Sequence, residues 1–334
     1  MELDGDRFGN DTLALRSFWH PVAHVEELVG DGPLQVELLG ERWVVARLDG
    51  ALRAFRDLCS HRLAPLSAGC VVDGTLQCPY HGYRFAGDGT CVEIPALGSE
   101  RRVPPKAHLD RVGWVEERHG LLWLALEDPI APIIEIPEWD DPSFDAWHLG
   151  ARETTVSAGL LMDNFIDAGH FPYLHRATFG ADDTGTPQLD AVRDGWRLQV
   201  VNRGQPNSGP NYGTVEALQT YVIAAPFSLR IEVQAGDGRI NTFLFLIQPI
   251  DEHRSRLYPG LAYNDLAGDA EMIATVSAFN DQVIDEDFTI LSRYEDTRIP
   301  LDLRAEVHTK ADLGTIEYRR LAADIVALRA EVHV

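Results

Sequence analysis

The chain has 334 residues, enough for two domains with buried cores, and an apolar content of 45% that is ordinary for a globular protein. Asp and Glu outnumber Lys and Arg by 52 to 29, and the formal net charge of −23 argues against binding nucleic acid or an anionic membrane directly. No run reaches the about eighteen consecutive apolar residues of a membrane span. The start, Met1-Glu2-Leu3-Asp4-Gly5-Asp6, lacks the basic residues and apolar core of a signal peptide, so a cytoplasmic protein is expected.

The first half consists of short strands broken by turns. Residues 35–39 and 43–48 read as strands separated by Gly40-Glu41-Arg42, and Asp49-Gly50 follows as a hairpin signal. The unbroken apolar run at 121–126 predicts a buried strand. Asp128-Pro129, Pro132, Pro137 and Pro142 then crowd a stretch with neither helical nor strand period. The expected organisation is a small antiparallel β domain over 1–130 with an N-terminal extension, a proline-rich linker over 131–142, and a second domain over 143–334.

Among those first strands stand Cys59-Ser60-His61 and, sixteen residues later, Cys78-Pro79-Tyr80-His81. Two thiolates and two imidazoles suit zinc or an iron–sulfur cluster. Each loop carries one Cys and one His, whereas a zinc finger usually keeps its Cys pair in one loop and its His pair in another. A Rieske [2Fe-2S] cluster holds one iron by two Cys and the other by two His. Cys59, His61, Cys78 and His81 are therefore its expected ligands, with a zinc site as the alternative. Four cysteines in so long a chain are no disulfide scaffold, and Cys70 and Cys91 are expected to be buried reduced thiols.

The second half predicts a helix near 160–168, strands at 196–201, 220–224, 228–233 and 242–247, a long helix over 271–295 and a terminal one over 318–329. A sheet with covering helices is an α+β arrangement able to enclose a pocket. Asp163, Asp167 and His170 fall at i, i+4 and i+7, on one face if the helix persists. Gly169 and Pro172 are expected to end it, which lets His175 fold back toward His170. Two imidazoles need one carboxylate to complete an iron(II) site with open positions.

The segment 280–291 offers Asp281, Asp285, Glu286 and Asp287 as that carboxylate. With Val283 at zero, Val276, Phe279, Ile284, Phe288, Ile290, Leu291 and Tyr294 cover an arc from about −40° to +140°. Asp287 lies inside it at about +40°, while Asp281, Asp285 and Glu286 fall at about 160°, 200° and 300°. A carboxylate among apolar neighbours is costly unless it is paired or bound to metal. Asp287 is the expected ligand.

The runs Cys59-Ser60-His61-Arg62-Leu63-Ala64-Pro65-Leu66 and Cys78-Pro79-Tyr80-His81-Gly82-Tyr83-Arg84-Phe85, with Gly87-Asp88-Gly89-Thr90-Cys91 and Ile94-Pro95-Ala96, resemble the Rieske domain of bacterial Rieske oxygenases. Ala64 and Tyr80 stand where respiratory Rieske proteins carry an extra pair of cysteines. Asn164, Asp167, His170 and His175 resemble that family's N-x-x-D-x-x-H-x-x-x-x-H signature. The likeness runs from Phe18-Trp19-His20-Pro21-Val22 to the final helix, and Tyr83 departs from it where a Trp is common.

That resemblance implies an α+β protein, with an antiparallel β Rieske domain followed by a helix-grip-like catalytic domain, an antiparallel sheet covered by helices. It implies a [2Fe-2S] cluster and a mononuclear Fe(2+) held by His170, His175 and Asp287, with Asn164 beside the iron. Asp167 would bridge toward His81 of the partner subunit in a head-to-tail homotrimer. The compact length is similar to single-subunit-type aromatic monooxygenases and O-demethylases.

The expected reaction is reductive activation of O2 against a small aromatic or cyclic apolar substrate, by hydroxylation or oxidative demethylation. No G-x-G-x-x-G strand–helix unit is visible, so electrons from NAD(P)H are expected through a separate reductase, with or without a ferredoxin. The alternatives are a ring cis-dihydroxylating dioxygenase and, outside enzymes, a Rieske electron-transfer protein. A carrier would need no His170, His175 or Asp287 and would end near residue 130. Leu160, Phe165, Ile166, Asn202, Asn241, Phe243 and Phe279 are expected to line the pocket, with Asn241 as a polar contact to an oxygen-bearing substrate.

Overall fold

The computed structural model describes residues 7–30, 32–98, 102–109, 112–179, 186–211 and 213–330. The chain divides into one unit of Arg16–Ile130 and a second that begins at Ala131 and takes in residues 7–15. The start of the chain therefore belongs with the second unit rather than extending the first. Its strand Arg7–Phe8 pairs with Ile299–Pro300. The proline-rich stretch also lies in the second unit, and it contains a 3-10 turn at Pro137–Trp139.

In the first unit, a six-stranded antiparallel sheet runs in the spatial order His20–His24, Leu121–Ala125, Val112–Arg118, Ala51–Arg56, Glu41–Leu48 and Leu34–Leu38. The strand Glu41–Leu48 explains the apolar run at its centre, residues 43–46. Trp43 and Val45 enter a core with Leu122 and Leu124, while Val44, Ala46 and Leu48 enter a second core with Phe55, Cys59 and Cys78. A strand buried on both faces reads as continuous rather than alternating hydrophobicity.

A smaller sheet of Cys70–Val72, Thr75–Gln77, Arg84–Phe85 and Cys91–Glu93 stands beside the two Cys-His loops in sequence. Cys91 is buried in the core as expected, but Cys70, on the opposite edge strand of that sheet, is exposed. Gly69, just before it, lies so close to the Gln77 carbonyl oxygen that a Cβ would stand 2.0 Å away, so no other residue fits there.

The second unit is built on a nine-stranded antiparallel sheet among the described residues. Seven strands follow in the order Asp145–His148, Arg254–Tyr263, Ile240–Asp251, Ser228–Ala235, Gly213–Ala224, Arg197–Asn202 and Leu189–Asp194. Arg152–Thr154 and Pro206–Gly209 pair with the second and fifth of these. Five helices accompany it: α1 (Ala158–Ile166), α2 (Phe171–Leu174), α3 (Arg176–Phe179), α4 (Ala270–Leu291) and α5 (Leu313–Ala330). Among the described residues, α1 packs on α4, α5 and the strand Ile240–Asp251, and α5 on the strands Leu189–Asp194 and Arg197–Asn202.

The Ser157 hydroxyl caps α1 by accepting from Leu160 N at 3.3 Å. Asp269 caps α4 by accepting from Glu271 N and Met272 N at 3.0 and 3.1 Å. The helix α1 ends at Ile166, and Asp167 is already extended, so His170 is not on a continuation of that helix. Pro172 starts the next helix instead of ending the previous one, as suits a residue without an N–H in a first turn.

Asp163 points away from the histidines. It pairs with Arg319 of α5 at 2.7 Å, both side chains being nearly buried. Burial pushes its carboxyl up, and the Arg319 guanidinium opposes that shift. Arg319→Met, which leaves this carboxylate buried without its partner, is expected to cost about 3 kcal/mol. Denaturant unfolding checks this; an unchanged midpoint would show the pair adds nothing.

Candidate metal centres and the cavity between helix and sheet

The two Cys-His loops are built on one hydrogen-bond plan. In the first, Cys59 N donates to Ala64 O at 2.8 Å and Leu63 N to Cys59 O at 2.9 Å. In the second, Cys78 N donates to Tyr83 O at 2.8 Å and Gly82 N to Cys78 O at 3.1 Å. Both loops turn through a residue of positive φ, Leu63 at 58° and Gly82 at 71°. Cys59 and Cys78 are each 1% exposed, whereas His61 and His81 are exposed, their ring centroids 4.5 Å apart. Tyr83 stacks on His61 at 4.7 Å, so the position that departs from the family pattern keeps an aromatic role.

Burial, with the Cys78 side chain close by, pushes the Cys59 thiol up to about 11. A bound metal must displace that proton. The four side chains do not converge on one point as a single zinc would require. Among the described residues, only His170, His175 and Asp287 bring one ligand atom each within 4.8 Å of one another. A quartet spread over two loop tips fits a binuclear cluster instead.

The second constellation is compact. His170 Nε2 and His175 Nε2 lie 3.2 Å apart, and Asp287 Oδ1 stands 3.5 and 3.3 Å from them. Each imidazole is oriented from behind. Asp167 Oδ2 is 3.0 Å from His170 Nδ1, and Glu286 Oε2 is 2.8 Å from His175 Nδ1. Asp167 Oδ1 accepts from Gly169 N at 2.9 Å, and Glu286 is held by Thr178 and Gln282. With both Nδ1 atoms donating to carboxylates, both Nε2 lone pairs face the common centre.

Burial pushes the His175 imidazole down, but Asp287 and Glu286 together outweigh it and raise the group. For Asp167, burial is outweighed by the donors His170 and Gly169, which hold its carboxyl below the usual range. Asn164 Nδ2 donates to Asp287 Oδ1 at 3.3 Å, and its own Oδ1 is buried without a partner.

Asp287 belongs to the buried stripe Val276, Ile284, Asp287 and Leu291 of α4. The apolar arc is narrower than the helical wheel suggests, since Ile290 and Tyr294 are 40% and 53% exposed. Asp281 and Asp285 both pair with Arg152, away from the imidazoles.

A cavity of about 690 Å3, counting its open mouth, lies against this triad. It is walled by aromatic side chains, including the expected Phe165, Phe243 and Phe279. Phe165 stacks on Phe245 at 4.2 Å, and Phe179 approaches Phe279 at 5.6 Å. The sheet contributes the cross-strand row Tyr221, Ile231 and Phe243 and, two residues along, Gln219 and Val233.

Four expected lining residues do not reach it. Leu160 faces a separate cleft beside Asp163 and Arg319, and Ile166 packs under Gly314. Asn202 is buried in a polar network behind the wall. Asn241 sits in the row of Val233 and Tyr263 but does not line the cavity; its Oδ1 is buried without a partner. Gln219 and Tyr221 were not legible beforehand, and Glu286 was weighed as an iron ligand rather than as the partner of His175 Nδ1. The strand alternation that carries the first two was present, but the register was not.

Two family models match: the Rieske [2Fe-2S] domain over residues 18–108, and the vanillate O-demethylase oxygenase C-terminal domain over 155–328. The second alone covers more than half of the chain. The chain belongs to the Rieske oxygenases. The methylxanthine N1-demethylase NdmA of Pseudomonas putida is 32% identical, over 92% of this oxygenase and 88% of NdmA. The structure of NdmA from P. putida CBB5 with caffeine superposes with a TM-score of 0.85 and 29% identity, covering 96% and 94% of the two chains. Dicamba monooxygenase bound to dicamba, 23% identical with a TM-score of 0.77 over 95% and 99% of the two chains, shares the fold.

These matches make the oxygenase a two-cofactor enzyme, with a [2Fe-2S] cluster and a mononuclear iron. The donor sets described above suit both. An electron carrier has no use for residues 155–328, and that alternative falls. A dihydroxylating enzyme is not favoured, since the relatives matched over about nine-tenths of their length include the N-demethylases NdmA and NdmB. No helix among the described residues is long and apolar enough to cross a membrane.

Proposed function

We propose that this chain is the terminal oxygenase of a monooxygenase system that hydroxylates or oxidatively demethylates a small aromatic or cyclic, largely apolar substrate. One observation carries the reading: two imidazoles and a carboxylate converge to within 3.5 Å against an aromatic cavity, in the same chain as the Rieske Cys-His loops. The relatives named above, which act on methylxanthines and on dicamba, support it.

In this reading Cys59, His61, Cys78 and His81 hold the cluster, and His170, His175 and Asp287 hold iron(II). The iron supplies reductive dioxygen activation when it is bound. The chain's own residues do the rest. Asp167 and Glu286 hold the two imidazoles by Nδ1, and Asn164 donates to the same Asp287 oxygen that faces them. The phenylalanines exclude water and bind a ring by its faces.

The exposed His61 and His81, beside Leu63 and Tyr80 at 67% and 65% exposure, support an electron inlet that another protein surface covers. The proposal includes a separate NAD(P)H reductase, with or without a ferredoxin, and a head-to-tail homotrimer in which Asp167 faces His81 of the partner subunit. Cys70 and Cys91, which are not bridged to one another, fit a cytoplasmic location.

Iron analysis with EPR on the purified protein tests the central claim. The expected result is the two irons of the cluster plus a third that is ferrous and gives a nitrosyl signal with nitric oxide. Two irons per chain with no nitrosyl signal would refute it.

A further inference from the structure

The cavity is apolar except at a few atoms, and those atoms have a fixed polarity. Backbone groups at both ends of a buried amide chain set it. Gln188 N and Gly204 N, which can only donate, both reach Asn202 Oδ1 at 3.2 Å. Asn202 therefore presents its Nδ2 to Gln205 Oε1 at 2.8 Å and toward Gln219 Oε1 at 3.5 Å. At the other end Gln205 Nε2 donates to Ala168 O at 3.1 Å, which fixes that amide in the same sense. Tyr221 OH also donates to Gln219 Oε1, at 3.0 Å.

The Gln219 amide thus cannot be flipped without setting its NH2 against the NH2 of Asn202. Its oxygen faces the network and its Nε2 is left for the cavity. Gln219 is 3% exposed, lines the cavity, and has no acceptor for Nε2 among the described residues. Across from the sheet, Asn280 of α4 also lines the cavity and donates its Nδ2 to Val276 O at 2.8 Å, so the group it retains is an oxygen.

No described lining residue is Lys or Arg. Residues 180–185 and 212, outside the described set but next to lining residues in sequence, contain none either. A carbonyl oxygen beside Gln219 would complete its amide, and a neutral acceptor would do so without the desolvation cost that an ion carries. The positive charge against the cavity would be that of the iron(II) held by His170, His175 and Asp287, which Asp287 offsets in part.

We infer that Gln219 is a specificity-determining residue that donates Nε2–H to a neutral hydrogen-bond acceptor, such as a ring carbonyl, on the substrate. The inference rests on the oxygenase reading and deepens it by naming the substrate class.

Titration calorimetry on the iron-replete protein under anaerobic conditions tests it with two bicyclic probes of similar size. They are 1-methyl-2-quinolone, which carries a ring carbonyl, and 1-methylnaphthalene, a hydrocarbon of like shape without it. The quinolone should bind at least about tenfold more tightly than the hydrocarbon. Gln219→Met, similar in length but without the N–H, should weaken quinolone binding about fivefold or more while leaving methylnaphthalene unaffected. Iron content measured on the same samples shows whether the variant has kept its fold and sites. Equal or tighter methylnaphthalene binding, no quinolone binding, or a quinolone affinity unchanged in Gln219→Met would overturn the inference. With the third iron present, those results would leave the oxygenase reading standing; a missing third iron in the unaltered protein would sink that reading instead.

Discussion

Asp287→Ala should empty the mononuclear site and leave the cluster intact. Asp287 supplies the one carboxylate oxygen that stands within 3.5 Å of both imidazole Nε2 atoms. Without it two neutral imidazoles remain, and a hard divalent ion loses its anionic ligand. The alternatives are engaged elsewhere: Asp281 and Asp285 pair with Arg152, and Glu286 turns toward His175 Nδ1. Alanine is the best helix former, so α4 should persist. Iron should fall by one atom per chain, the cluster's EPR signal should remain, and turnover should drop by about a thousandfold or more. Retention of the third iron would move the ligand to Glu286 or beyond the triad.

Asp167→Asn probes a different function, since the residue does not reach the common centre. Its carboxylate holds His170 by Nδ1 and is itself held by Gly169 N. The amide keeps one acceptor oxygen but loses the charge that strengthens His170 as a ligand. Loss of such outer partners typically costs about 10–100-fold in metal affinity or activity. The cluster should be untouched, iron should load when supplied in excess, and turnover should stay depressed by about a hundredfold under that loading. The proposed bridge toward the partner subunit would deepen the loss by slowing reduction of the iron. Near-normal turnover with full iron would refute both roles for Asp167.

What could be read from the sequence follows from how locally each feature is encoded. The Cys-His loops are short, and their spacing is their geometry, so ligand types and order were visible at once. His170 and His175 were visible for a similar reason, although the route was not. A continuous helix was expected to carry Asp163, Asp167 and His170 on one face; in the fold the chain breaks at Asp167, and Asp163 goes to Arg319. The helical wheel singled out Asp287 because a charge in an apolar stripe needs a reason.

It could not show Glu286, which lies off that stripe and matters only because α3, carrying Thr178, comes to the flank of α4. The cavity wall was the least legible part. Leu160, Ile166, Asn202 and Asn241 were reasonable choices by type, but which side of α1 meets the cavity depends on its packing, and which members of the row Asn202, Gln219, Val233, Asn241 and Tyr263 reach it depends on how the strands are registered. Register is a long-range property, and no single strand encodes it. Cys70 failed for a related reason: it and Cys91 both lie on outer strands of one sheet, and which of them is covered depends on tertiary packing.

The same alternation has an evolutionary consequence. On the strands that wall the cavity, every second side chain touches the space where a substrate would lie, and those between face the other way. Exchange at Gln219, Tyr221, Ile231, Val233 or Phe243 therefore alters what is admitted without moving a backbone hydrogen bond or the triad. Catalytic apparatus and selectivity can drift independently along one strand. A lineage can acquire a new substrate by a few such replacements while its scaffold stays recognisable, as the match to NdmA at 29% identity and a TM-score of 0.85 illustrates.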